Sequence, residues 1–114
     1  MFLKSDVEKL EENFRLAKQA LPDIDSSSGY PNYPEVISEF MNSLCSPPWL
    51  KIDYDPKAVK NIISNIDNAS PDNLRNVLTD ANRIERFGCG QWAVILGGDF
   101  FPLVIARAYE LTKP

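Results

Sequence analysis

Residues 70–84 read SPDNLRNVLTDANRI, from Ser70 to Ile84. Leu74, Val77, Leu78, Ala81 and Ile84 recur at the three- and four-residue steps of one helix face. Ser70 is a helix-capping residue type. Pro71 suits the first helical position, where an N–H would lack a partner anyway, and Asp72 puts an acid near the positive helix end. A start signal and an apolar stripe agree within one short stretch. The expectation is a mainly α fold, and the neighbouring segments extend it.

Immediately upstream, Asp55 can cap a helix that begins at Pro56. Val59, Ile62, Ile63 and Ile66 supply its apolar side, Lys57 and Lys60 point outward, and Asp67-Asn68-Ala69 closes it. With so short a connection, this helix and the one after Ser70 should form an antiparallel hairpin. Further back, Leu3, Val7, Leu10, Phe14, Ala17 and Leu21 fall at alternating steps of four and three. Ser5 or Asp6 can cap this first helix and Pro22 stops it. Its acids, Asp6, Glu8, Glu11 and Glu12, precede Arg15 and Lys18, the polarity a helix dipole favours. The stretch is too short for a coiled coil, so the stripe should dock on the protein's own core.

Residues 22–34, PDIDSSSGYPNYP, have no periodic apolar face and read as a long loop pinned by Tyr30 and Tyr33. Asp23-x-Asp25-x-Ser27 starts like a calcium loop, but Ser28 and Pro34 stand where glycine and glutamate are needed. Pro34 suits the first turn of a second helix with Val36, Ile37, Phe40, Met41 and Leu44 inward; Ser46-Pro47-Pro48 ends it. Residues 49–54 should be extended, with Trp49 or Leu50 and Ile52 as anchors. Asp53 and Asp55 share one face of an extended segment, a pair open to acid-base work or metal ligation, or to surface and capping roles.

The chain has 114 residues, 44% of them hydrophobic and 25% charged, enough for one domain, 1–114, around one core. The net charge of −4 opposes non-specific nucleic-acid binding. The longest apolar runs, Trp92–Leu96 and Phe100–Ala106, are too short and interrupted to span a bilayer. The N-terminus lacks the charged, apolar and small-residue succession of a secretion signal, so a cytoplasmic protein is expected. There is no histidine, which removes Ser-His and Cys-His nucleophile pairs and histidine metal ligation. Cys45 and Cys89 have no metal-ligand spacing. The sequence points to no catalytic residue, metal or cofactor.

Residues 85–92, ERFGCGQW, gather an acid, a base, a thiol and two aromatics around two glycines. The fourth helix should run to about Phe87, with Gly88 as its left-handed cap and Cys89 packed on Ile84. Gln91–Leu96 fits a strand or a buried helical segment equally, and Gly97-Gly98-Asp99 is a turn before a last helix from Phe100. A short hairpin near 92–101, making the fold α+β, is the alternative to five or six helices.

Glu85-Arg86-Phe87, Gly90-x-Trp92-Ala93, the glycine turn and the closing helix resemble the C-terminal signature of a small bacterial family of unknown function, Glu-Arg-Phe-x-x-Gly-x-Trp. Tyr30–Pro34 and the Val36-x-x-x-Phe40 region resemble it more loosely. That family places an acid where this chain has Gly88-Cys89. The resemblance implies a helical Gln91–Leu96 and no particular activity.

Two functions follow. One is a protein-binding or regulatory module, of an immunity-like or accessory kind, acting without catalysis through the acidic middle: Asp23, Asp25, Glu35, Glu39, Asp53 and Asp55 against Lys51. The other is a small-molecule binder or minor enzyme with a pocket at the corner, where Glu85, Arg86, Cys89, Gln91 and Trp92 are the candidate ligand-binding residues. On the corner reading, Phe87 and Trp92 should be buried.

Overall fold

In the computed structural model, which describes residues 2–113, the first helix is α1 (Lys4–Gln19). It buries Val7, Leu10, Phe14 and Ala17, four members of the expected stripe. Leu3, not Ser5 or Asp6, occupies the cap position; Asp6 instead accepts the Leu3 N–H at 3.0 Å. The chain turns through a 3-10 segment at Leu21–Asp23 and a loop to α2 (Glu35–Ser43). Pro34 caps α2 rather than entering it. Then come a 3-10 turn at Pro56–Ala58, α3 (Val59–Ser64), a 3-10 turn at Ile66–Asn68 and α4 (Pro71–Arg83). A 3-10 turn at Ile84–Phe87, α5 (Gln91–Gly97) and α6 (Phe100–Leu111) complete the described chain.

The fold is mainly α, one globule with six α-helices among the described residues. The hairpin alternative is therefore overturned: residues 91–97 and 100–111 are helical, and the sole β-type pairing described is an isolated bridge between Asp25 and Asn32. The local reason is visible in Gly90, whose φ of 88° reverses the chain into α5, and in the Gly98 extended turn that releases it. No single described helix is long and apolar enough to cross a membrane; α5 and α6 together would be, but they meet at a 59° bend.

The core is aromatic at its centre. Phe101, at the start of α6, is fully buried and meets the rings of Phe14 and Phe40, each at 5.1 Å. Thus α1, α2 and α6 are tied through one side chain, in the tilted and edge-on arrangements aromatic quadrupoles favour. Leu74, Val77, Leu78 and Ala81 of α4 close the core from another side. The capping expected at both ends of the α3–α4 hairpin is present: Asp55 accepts the Lys57 N–H, and Ser70 and Asn73 exchange reciprocal side-chain-to-backbone bonds at 3.0 Å.

Two expected anchors, Ile52 and Tyr30, are exposed instead. Trp49 is buried against Phe2, ring centroids 4.8 Å apart, but Ile52 is 85% exposed. Residues 49–54 form turns rather than an extended strand-like run, so the alternation that would have turned Ile52 inward is lost. Tyr30 is exposed, leaving Tyr33 as the tyrosine that pins the long loop.

Candidate functional site

The 85–92 corner is built from the end of α4. The helix tightens at Ile84, so Gly88 donates to the Glu85 carbonyl three residues back. Phe87 follows Ala81 by six residues and Leu78 by nine, spacings that on a helix put it off the buried stripe those two define. Phe87 is 81% exposed, a correction to its expected burial. Gly88 is likewise not the left-handed cap: its φ of −178° is extended backbone, and the positive φ belongs to Gly90. Cys89 is exposed instead of packed on Ile84.

The same turn aims the Glu85 carboxylate at the next helix. Oε2 accepts the Gly90 N–H at 2.8 Å and Oε1 accepts the Trp92 N–H at 2.9 Å. Oε1 also accepts the Tyr33 hydroxyl at 3.0 Å. Glu85 thus satisfies backbone donors at the start of α5 that no helix bond reaches, and does so with a negative charge at the positive helix end. Trp92 is half-buried. Its indole donates to the Asn82 carbonyl at 3.1 Å, and its ring lies 5.3 Å from that of Tyr33. Asn82 in turn donates to the Met41 carbonyl at 2.9 Å, bringing α2 into the same network. Burial, followed by the Glu85 hydrogen bond and charge, pushes the Tyr33 hydroxyl up to about 12.

The five candidate residues therefore separate by role. Glu85 and Trp92 face inward and hold the corner. The Gln91 side chain lies across Gly88, within 3.4 Å of where a Cβ there would stand. Arg86 and Cys89 face solvent, and neither makes a side-chain hydrogen bond or ion pair among the described residues. Both cysteines are free thiols; the other, Cys45, is half-buried with an Arg83 guanidinium nitrogen 3.9 Å from its sulfur. Among the described residues no group of three or more Cys, Asp or Glu side chains is arranged to hold a metal.

Two further polar constellations carry no motif in the sequence. The first is the side of α4 that faces the 48–55 loop. Asn76 brackets Asp55, accepting its N–H at 2.6 Å and donating to its carbonyl at 2.9 Å. Thr79 accepts the Lys51 N–H at 2.8 Å, and Arg75 donates to the Pro48 carbonyl at 2.8 Å. These side chains fix the 48–55 loop, which has no ladder of its own. Lys51 then reaches Asp53 and Asp72, both at 3.0 Å, so Asp53 and Asp55 diverge into an ion pair and a helix cap. Asp80, also on α4, has its carboxyl raised by burial and makes no side-chain hydrogen bond among the described residues. The second is a cleft of about 250 Å³ between α1, α2 and the 46–49 turn, with Lys9, Asn13 and Ser46 at its mouth and Phe40 and Trp49 below. The corner residues line neither this cleft nor the shallow grooves of α1 and α6. Polar residues beside the apolar stripe of α4 were the available signal for the first; the cleft joins segments distant in sequence and had none.

Comparison of the chain with protein-family models, with curated proteins and with solved structures finds no match.

Proposed function

We propose that this chain is a non-catalytic protein-binding or regulatory module of the cytoplasm, and that it belongs with the small bacterial family whose Glu-Arg-Phe-x-x-Gly-x-Trp signature it resembles. The observation that supports the binding role is the two-sided corner. Glu85 is wholly engaged inside it, while Phe87 stands 81% exposed beside a solvent-facing Arg86. Aromatic and arginine side chains carry a disproportionate share of interface energy. Burying a phenylalanine fully contributes roughly 1.5–3 kcal/mol, and a braced turn loses little entropy when it binds. The exposed acids Asp23, Asp25, Glu35, Glu39, Asp53 and Asp55 would steer a basic partner rather than anchor it. The alternative, a small-molecule pocket at the corner, has weaker support because the Tyr33 ring already packs, tilted, against that of Trp92.

Cys89 supplies the test. A photoreactive maleimide at its exposed thiol should cross-link a partner in extracts of the source cells. Phe87→Ala and Arg86→Ala should abolish that product while melting like the parent. Undiminished capture by both variants would remove the corner from the interface. A melting temperature raised by a small metabolite, and lost in Arg86→Ala, would favour the pocket.

A further inference from the structure

Two shallow hollows run together along the outside of α1. One, about 580 Å³, follows α1 from Glu11 to Gln19; the other, about 430 Å³, lies between α1 and α6. Glu11 and Phe14 line both, which makes the hollows one groove. Its floor is apolar: Phe14 with Pro102, Ile105 and Ala106 of α6. Ala106 is exposed and small, so a second helix could approach closely.

The rim is ordered by charge. Glu11 and Glu12 come first and Arg15 and Lys18 follow, all four exposed. A parallel helix of like sequence would set acid against acid. An antiparallel one sets Glu11 and Glu12 against Arg15 and Lys18, twice over, which is the self-complementarity a two-fold interface requires. Phe14 stands midway between the acidic and basic pairs, where the axis would pass. The rim balances two acids with two bases although the chain carries a net −4, so it offers no gain to a generally basic partner. The existing Glu12–Arg15 pair is solvent-exposed, with both side chains more than half accessible, and such a pair contributes little that re-pairing across an interface would forfeit. The Tyr109 hydroxyl holds Glu11 at 2.7 Å and fixes the acid at the α6 side of the groove.

We propose that this groove pairs two copies of the chain, α1 antiparallel to α1, about a two-fold axis beside Phe14. The proposal is independent of the corner, whose residues lie on neither helix.

Sedimentation of the full chain over a range of concentrations tests it. The parent should form a dimer. Arg15→Glu with Lys18→Glu, and separately Glu11→Lys with Glu12→Lys, should each sediment as folded monomers, their association weakened more than about a hundredfold by like-charge contacts. An equimolar mixture of the two should recover a dimer, because one variant then presents only acids and the other only bases. Should either reversed variant unfold, Ala106→Arg gives a second arm: it blocks the floor from an exposed position and should also yield a monomer. A parent that stays monomeric, a dimer indifferent to all three changes, or a mixture that remains monomeric would each overturn the proposal.

Discussion

Glu85 and Trp92 are joined across the corner, the Glu85 carboxylate accepting the Trp92 backbone N–H at 2.9 Å while its other oxygen takes that of Gly90 at 2.8 Å. One side chain from the end of α4 therefore starts α5. Glu85→Ala should lower stability by about 2–4 kcal/mol, through loss of charge-assisted bonds at a part-buried site. Glu85→Gln should cost less, since an amide oxygen can still accept from Trp92 but its NH₂ group opposes the Gly90 N–H. Denaturant melts of the three proteins check the order.

The two glycines of the corner should respond differently. Gly90 has a φ of 88°, so Gly90→Ala should destabilise by roughly 1–2 kcal/mol although no atom lies within 4 Å of the added Cβ. Gly88 is extended, and Gly88→Ala should change the melting point little, since its Cβ meets a movable Gln91 side chain at 3.4 Å. Equal effects at both positions would contradict this geometry.

Aromatic truncations should divide along burial. Phe101→Ala removes the side chain that joins Phe14 and Phe40 and should cost roughly 3–5 kcal/mol. Phe87→Ala should leave the thermal midpoint nearly unchanged, because Phe87 is 81% exposed. Calorimetry of both variants is the check.

Asn76 is 3% exposed and brackets both backbone groups of Asp55. Asn76→Ala should cost about 1–3 kcal/mol by leaving that N–H and carbonyl without their partner. Hydrogen exchange at Asp55 should accelerate in the variant, and an unchanged rate would show that the loop holds itself.

Tyr33 gives a pH dependence in the alkaline range. Its folded value is raised to about 12 from 10, so the folded state favours the protonated phenol. The stabilisation is complete below pH 10 and is lost as pH rises toward 12. Tyrosinate absorbance should show Tyr33 ionising late, and Glu85→Gln should move that step to lower pH by removing an adjacent negative charge.

The apolar stripes of α1 and α4, the Ser70 and Asp55 caps and the stop at Pro22 were legible in the sequence by itself, because each depends on residues within a turn or two of one another. The acid, the aromatics and the glycines of the corner were legible too, but their roles were not. Phe87 alone could have been read as outward, from its helical spacing to Leu78 and Ala81; its expected burial rested on its apolar character. Which glycine takes the positive φ followed from where Glu85 could reach, not from which glycine came first after the helix. The helical state of 91–97 rests on donors satisfied by Glu85 and on burial of Leu96 in a core made elsewhere. Short apolar segments have no state of their own until a partner satisfies their backbone, and in this protein the partner is supplied by the tertiary fold.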